Sequence, residues 1–263
     1  MLTFLYNRLC GKPAYRIETA TLIGIGGRDN QEDALAYAVP NAQAGCWVIA
    51  DGVGGRGAGE IASQLAVDSI LTGFRNTPAC TENNLRRLLE SAHQAVFTAR
   101  RPNTAGANMA TTAAVLITAK NRAIWGHVGD SRLYHFRDGR LMHRTADQSL
   151  LNMLVACGAL PEADINHHPQ RNLILHALGQ DDTPAFCLHG PVSMQAGDGF
   201  LLCTDGVWEL VNDIELLECW QNSHSANHWL AGLQQLLEPR AAEQNSTGKP
   251  ADNYSAIAVK LTA

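Results

Sequence analysis

The run Cys46-Trp47-Val48-Ile49-Ala50-Asp51-Gly52 is an apolar strand sequence that ends in a carboxylate beside a glycine. Apolar runs that end at Asp130 and at Asp205 have the same form. A carboxylate at the end of a buried strand costs free energy unless a cation or several donors compensate it. Asp-Gly is also a common turn signal, so one such pair alone indicates only a turn. Their recurrence predicts a site where oxygen ligands hold a hard cation, Mg²⁺, Mn²⁺ or Ca²⁺.

Length and composition restrict the class of protein. The chain has 263 residues, of which 46% are apolar and 17% charged, so we expect one domain over residues 1–263. The formal net charge of −5 argues against a nucleic-acid partner. The N-terminal segment is too short for a signal peptide and no run of about 18 apolar residues follows, so we expect no membrane insertion. Seven cysteines without a C-x-x-C pair predict free thiols in the cytoplasm.

The order of helix and strand patterns indicates an α+β fold. Apolar runs predict strands over 18–26, 35–39, 46–50, 199–203 and 254–261. Two hairpins are predicted, 111–118 with 122–128 and 133–136 with 140–144. Helices are predicted over 59–74, from a Thr81 cap to about 96, and over 148–156, 213–220 and 226–242. This order suggests two antiparallel sheets, each covered by helices, with an exposed excursion over 160–170.

Five short motifs occur in order along the chain. They are Arg28-Asp29-Asn30-Gln31-Glu32-Asp33, Asp51-Gly52-Val53-Gly54-Gly55, Gly129-Asp130-Ser131-Arg132, Thr204-Asp205-Gly206-Val207-Trp208-Glu209 and Asp252-Asn253. Together they resemble the motif series of the PP2C-type (PPM) metal-dependent serine/threonine phosphatases, in particular the bacterial stand-alone type. The resemblance runs from about residue 21 to 261. It implies a four-layer αββα sandwich with a core over about 18–263 and a flap-like excursion over about 147–170.

The resemblance also implies a set of metal ligands for two core ions, Mn²⁺ or Mg²⁺. Asp51 would bridge the two ions, and the Gly52 carbonyl would be a further ligand. Asp205 and Asp252 would complete the shell of the first ion. An outer position for a third ion would be formed by Asp130 together with Asp205.

Three further residues complete the implied site. Glu32 and Asp33 would hold the second core ion, directly or through waters, which places Asp33 at the reacting centre. Arg28 would clamp the substrate phosphate, a role that suits a forked guanidinium. The alternative for Arg28 is a surface salt bridge.

Two positions depart from the family pattern. Val53 stands where eukaryotic relatives often carry a histidine thought to protonate the leaving group, so a metal-bound water is the expected acid. Glu209 stands where the family often has an aspartate, and this leaves the occupancy of the outer ion position open. The remaining candidates are weaker, since His127 on a predicted strand is expected to be a buried core histidine.

The implied activity is hydrolysis of phosphoserine and phosphothreonine in proteins by a metal-activated water. The expected partners are phosphorylated proteins, with a bacterial serine/threonine kinase and its substrates, and type VI secretion is one setting in which such pairs occur. We expect a monomer. A non-catalytic phosphate-binding or sensing module on the same fold stays open as the alternative. A nucleotide-binding interpretation of Gly24-Ile25-Gly26-Gly27 fails because the third glycine of that fingerprint would fall at Asp29.

Overall fold

The computed structural model describes residues 15–41, 44–53, 58–100, 105–161, 168, 170 and 173–263. The strands within these residues are β1 (Arg16–Gly24), β2 (Asp33–Asn41), β3 (Ala44–Val53), β4 (Ala110–Thr111), β5 (Ala113–Ala119), β6 (Arg122–Val128), β7 (Arg132–Arg137), β8 (Arg140–Arg144), β9 (Cys187–Ser193), β10 (Gly199–Cys203) and β11 (Tyr254–Thr262). The helices are α1 (Ala58–Asn76), α2 (Glu82–Ala99), α3 (Leu150–Ala156), α4 (Asp205–Trp208), α5 (Asp213–Gln221) and α6 (Ala226–Ser246), and Ala105–Asn108 form a 3-10 turn.

The strands form two antiparallel sheets. The first sheet has the order β1-β11-β10-β7-β8, and the second has the order β2-β3-β5-β6-β9, with β4 paired to the end of β3. Helices α1 and α2 pack on the second sheet, and α6 packs on β1 and β11 of the first. The α+β sandwich of two antiparallel sheets between helical layers is therefore confirmed.

The central strand β3 shows why the sheets stack. Its side chains alternate between two apolar clusters, because successive residues of a strand point to opposite faces. Cys46 and Val48 belong to the cluster under α1 and α2, whereas Trp47 and Ile49 belong to the cluster between the two sheets. A strand that is buried on both faces fixes the layers on either side of it.

Most predicted elements are present, with small shifts at their ends. Thr81 is the N-cap of α2, where its side chain accepts a hydrogen bond from Asn84 N at 3.3 Å, as expected. The first strand ends at Gly24 rather than at residue 26, because the chain turns through Gly26 at a φ of 61°. Strand β9 was not predicted, and its Gly190-Pro191 pair explains why, since proline inside a strand is confined to edges and bulges.

Several expectations fall partly outside the described residues. Of the flap-like excursion, residues 162–167 and 169 lie outside them, while α3 is described. The six cysteines within the described part of the chain are free, and Cys10 lies outside it. No helix in the described ranges is long and apolar enough to cross a bilayer.

Candidate metal centre

The carboxylates singled out in the sequence come from both sheets and meet at strand ends. Asp33 begins β2 and lies directly opposite Asp51 near the end of β3. Asp205 begins α4, which follows β10, and Asp252 lies just before β11. Strands β10 and β11 are neighbours in the first sheet, whereas β2 and β3 belong to the second. Asp130 follows β6. The packing of the two sheets therefore gathers five acidic residues that are distant in sequence.

Burial and mutual repulsion raise the pKa values of Asp51 and Asp205. The pKa of Asp51 lies well above its usual range because of burial and then because of the charges of Asp205, Asp33, Asp130 and Asp252. Burial also raises the pKa of Asp205 well above the usual range, with Asp130 and Asp252 as the next causes. Such like charges in a buried cluster are typical of a site that a cation compensates.

The flanking carboxyl groups show the same direction. Burial raises the pKa of Asp33 to about 7, although the hydrogen bond from Thr204 opposes the shift. Burial and the nearby charge of Asp147 raise the pKa of Asp130 to about 7. The pKa of Glu32 is raised as well, first by burial. The protein itself therefore supplies too little positive charge for this cluster.

Within the described residues, two carboxylate oxygens of the cluster are buried without a hydrogen bond. Asp33 Oδ2 accepts a bond from Thr204 Oγ1 at 2.9 Å, but Asp33 Oδ1 has no partner within the described residues. Asp205 Oδ1 is also buried and unpartnered there. A buried anionic oxygen without a donor is costly, and a hard cation with oxygen ligands would compensate it. The residues present therefore fit a divalent ion.

The cluster does not by itself define the position of an ion. Among the residues that the structure describes, no group of three or more histidine, cysteine, aspartate or glutamate side chains is placed close enough together to hold a metal ion. The assignment of individual ligands therefore stays a prediction.

Threonine hydroxyls and a tight glycine contact hold Asp51 in place. Thr111 Oγ1 donates to Asp51 O at 2.8 Å, and Asp51 N donates to Thr112 Oγ1 at 3.0 Å. Gly52 N donates to Glu32 O at 3.1 Å, and a Cβ atom on Gly52 would lie 2.1 Å from Gly59 O. Only glycine fits there. Gly54 and Gly55 of the same motif lie outside the described residues.

Asn253 ties the first motif to the last one, a role that the sequence analysis did not assign. Its Oδ1 accepts a hydrogen bond from Glu32 N at 2.8 Å. Its Nδ2 donates to Ile25 O at 2.9 Å and to Asn30 O at 3.1 Å. One amide side chain thus fixes the loop that carries Glu32 and Arg28. The presence of Asn253 in the last motif is the sequence feature from which this role could have been inferred.

Arg28 makes the salt bridge that the sequence analysis kept as its alternative role. Arg28 Nη2 lies 2.5 Å from Asp252 Oδ2, and the two side chains are 47% and 30% exposed. The partner is one of the predicted metal ligands, so the salt bridge also places the guanidinium at the rim of the cluster. A group in this position faces solvent and the carboxylates at once.

A second network surrounds Asp130. Arg132 donates two hydrogen bonds of 2.7 Å to the carboxylate of Asp147, and its guanidinium lies 3.7 Å from the centre of a Trp208 ring. Trp208 Nε1 donates to Asp130 O at 3.1 Å. The charge of Glu209 raises the pKa of both Asp130 and Asp205. Glu209 therefore acts electrostatically on both aspartates, and Trp208 fixes the backbone at Asp130.

His127 is a buried core histidine, as expected. Its Nε2 lies 2.8 Å from Ala146 O, and the ring is 4% exposed. Burial lowers its pKa. It therefore has a structural partner, although it lies near the end of β6 that Asp130 follows.

Two antiparallel sheets between helical layers, with a carboxylate cluster where strands of both sheets end, define the class of four-layer sandwich phosphatases. The family profile described as "Protein phosphatase 2C" matches residues 25–245. The chain belongs to this family, and it is a serine/threonine protein phosphatase.

Named relatives agree with this assignment. Protein phosphatase PhpP of Streptococcus pneumoniae is 33% identical over 207 residues, which are 76% of this chain and 82% of that protein. The catalytic domain of the serine/threonine phosphatase PstP, solved in complex with two manganese ions, superposes with a TM-score of 0.77 at 26% identity and covers 95% of this chain and 100% of that one. PppA of Pseudomonas aeruginosa, described as a key regulatory component of T6SS, gives a TM-score of 0.75 at 28% identity and covers 94% and 98%.

Proposed function

We propose that this chain hydrolyses phosphoserine and phosphothreonine in proteins with a water activated by two divalent ions, Mn²⁺ or Mg²⁺. The observation that carries the proposal is the pair of buried oxygens Asp33 Oδ1 and Asp205 Oδ1, which have no partner within the described part of the chain. When bound, the ions would neutralise the phosphoryl oxygens and lower the pKa of a water to near neutrality. The two manganese ions in the PstP complex support this choice of metal.

The proposed ligands are those that the family resemblance implies, and the positions of the residues support them. Asp51, opposite Asp33 on the neighbouring strand, would bridge the two ions, with the Gly52 carbonyl as a further ligand. Asp205 and Asp252 would hold the first ion from the other sheet. Because Asp33 and Asp51 come from one sheet and Asp205 and Asp252 from the other, the site forms only when the sheets are packed together.

The remaining residues would serve the second ion and the outer position. Glu32 and Asp33 would hold the second core ion, and Thr204 orients one oxygen of Asp33. Asp130 with Asp205 would form the outer position, where the charge of Glu209 adds to theirs. Glu209 thus supports occupancy of the outer position, despite its departure from the family pattern.

Arg28 would leave Asp252 and bind the substrate phosphate. A salt bridge between exposed side chains is worth about 0–1 kcal/mol, so exchanging its carboxylate for a metal-bound phosphate costs little. An ion held by Asp252 would neutralise that carboxylate and weaken its salt bridge to Arg28. Metal loading would then free the guanidinium for the substrate.

Metal dependence and one ligand variant test the activity together. We expect the protein to hydrolyse a chromogenic phosphate ester with Mn²⁺ and to lose this activity with a chelator. Asp205→Asn should lower turnover by more than the about 10–100-fold seen for residues that only support a metal ligand. Circular dichroism of the variant should show an unchanged fold. Wild-type turnover by folded, metal-saturated Asp205→Asn would contradict the proposal, and a wild type that binds phosphate without turnover would favour the sensing module.

Arg28→Ala tests the phosphate clamp. We expect KM for the ester to rise about tenfold, because a charge-assisted hydrogen bond to phosphate is lost, with a smaller effect on kcat. Arg28→Lys should restore part of the loss, since it keeps the charge without the fork. An unchanged KM in Arg28→Ala would exclude a role in phosphate capture.

The physiological partners belong to the same proposal. We infer a cytoplasmic protein that reverses a bacterial serine/threonine kinase and acts on its substrates. The similarity to PppA makes a secretion-linked kinase one specific candidate. Replacing the native protein with Asp205→Asn in cells and identifying the phosphoproteins that accumulate would test this. No accumulation on any protein would contradict it.

A further inference from the structure

A groove of about 1090 Å³ opens beside the metal centre. Asp130 and Glu209 line it, and it extends to Ile214 in the first turn of α5, so we call it the α5 groove. Sites for drug-sized ligands have volumes of about 300–1,000 Å³. The α5 groove is therefore large for a phosphoryl group alone and suits a segment of polypeptide. It is continuous with the cluster, since Asp130 belongs to both.

Three arginines line the groove, and each is held by a carboxylate. The pairs are Arg132 with Asp147, Arg144 with Asp213 and Arg240 with Glu215, at distances between 2.6 and 2.9 Å. Paired arginines offer little attraction to a second phosphate or an acidic side chain. Away from Asp130 and Glu209, charge therefore contributes little to what the groove binds.

Apolar side chains offer the groove a further means of recognition. Ile214 is 70% exposed, the largest exposure among the exposed large apolar residues of the described chain. Val155 of α3 and Leu210 line the same groove. A single exposed isoleucine is ordinary. Its position in a groove that starts at the reacting centre and contains other apolar residues gives it a place to contact a ligand.

Ile214 is also held rigidly. Asn212 Oδ1 accepts hydrogen bonds from Ile214 N at 3.0 Å and from Glu215 N at 3.1 Å, and the Glu215 carboxylate accepts one from Asn212 N at 3.0 Å. Arg240 of α6 then fixes the carboxylate of Glu215. An apolar side chain on a capped helix end loses little backbone freedom on binding, so its contact area is used efficiently.

We propose that the α5 groove binds the polypeptide that flanks the phosphorylated residue of a substrate protein, and that Ile214 contacts an apolar side chain of this flank. The inference rests on the proposed function, because the phosphorylated residue itself must reach the metal centre. It defines the substrate class more narrowly: phosphoproteins with an apolar residue close to the phosphorylated serine or threonine.

The test compares a small ester with two phosphopeptides, one with leucines on both sides of the phosphoserine and one with serines there. For wild type, kcat/KM should be higher for the leucine peptide. Ile214→Ser should lower kcat/KM for the leucine peptide about tenfold, because burial of one large apolar side chain is lost. Its kcat/KM for the chromogenic ester should not change. Val155→Ser should show the same pattern with a smaller loss.

A matched control and the contrary outcomes complete the experiment. Val39→Ser removes an exposed apolar side chain from β2, outside the groove, and should change neither substrate. Equal losses on ester and leucine peptide, or no loss on the peptide, would overturn the groove proposal and leave the phosphatase intact. A wild type that hydrolyses neither the ester nor the peptides with Mn²⁺ would overturn the proposed function and the groove together.

Discussion

Asp198 and Asp205 lie at opposite ends of β10, and both are buried, but the protein compensates only one of them. Arg137 donates hydrogen bonds of 2.6 and 2.7 Å to the carboxylate of Asp198, and Gln195 N adds one of 2.9 Å. Burial would raise the pKa of Asp198, yet the bond from Arg137 brings it below its usual range. Asp205 keeps one oxygen unpartnered among the described residues, and its pKa is raised.

The difference separates a structural carboxylate from a functional one. A folded protein can supply an arginine and a backbone N–H where it needs a stable buried charge, as it does for Asp198. At the other end of the same strand it supplies further carboxylates. Burial alone therefore does not identify a site, whereas a buried carboxylate without a donor does.

The largest expected effect comes from removing the compensated charge. Asp198→Asn leaves the Arg137 guanidinium without its partner, so we expect the free energy of unfolding to fall by about 3 kcal/mol. Turnover of the ester should stay near wild type at temperatures where the variant is folded. Urea unfolding followed by circular dichroism measures the loss. A loss of turnover in the folded variant with unchanged stability would show that Asp198 is a functional carboxylate and not a structural one.

Metal binding should act on the other end of the strand. Mn²⁺ at about 100 times its Kd should stabilise the wild type by about 2.7 kcal/mol, since it binds only the folded state. Mn²⁺ should raise the free energy of unfolding of Asp198→Asn by the same amount, although this variant is less stable without the ion. Asp51→Asn should gain much less. Thermal unfolding with and without Mn²⁺ measures this, and an equal gain in Asp51→Asn would mean that the ions bind elsewhere.

The smallest effect concerns the histidines near Asp198. His143 of β8 stacks on His189 of β9 with ring centroids 4.1 Å apart, and Trp125 lies 5.3 Å from His143. Burial, and then the charges of His189, His135 and His127, lower the pKa of His143 to about 4. The pKa of His143 is lower in the folded protein than in the unfolded chain. Its contribution to the free energy of unfolding is therefore fully present above about pH 6.5 and is lost as the pH falls from about 6.5 to about 4.

The matching variant is His143→Phe, which keeps an aromatic ring and removes the titration. Between about pH 7.5 and pH 5, the wild type should lose about 1 kcal/mol more than the variant, a figure reduced because the ring is partly solvated. Urea unfolding at the two pH values measures the difference. Identical losses in the two proteins would show that His143 titrates alike in the folded and unfolded states.

The sequence predicted the fold well where local patterns and packing agree. The run Gly199 to Cys203 is apolar throughout and ends at a turn signal, and it is a strand over those residues. The hairpin of β5 and β6 turns at Lys120 and Asn121, both with positive φ, where asparagine is tolerated. Strand β9 could not be predicted from its local sequence, because pairing with β6, which is distant in sequence, stabilises it despite Pro191.

The site was predicted less completely, because supporting residues carry no pattern of their own. The five clustered aspartates were identified from their motifs. Asp147 holds Arg132, and Thr204 bonds to Asp33, yet a threonine or aspartate in such a position has no special spacing. Their roles depend on contacts between residues far apart in the chain, and the sequence does not show these contacts.

The placement of the acidic residues on both sheets has a mechanical consequence. Asp33 and Asp51 belong to one layer, and Asp205 and Asp252 belong to the other. Since a misplacement of about 1 Å can lower a rate about a hundredfold, sliding of one layer over the other would stop turnover well before the chain unfolds. Loss of activity on gentle heating would then show that the two layers have shifted relative to each other. Divalent ions bound between residues of both layers would oppose this shift.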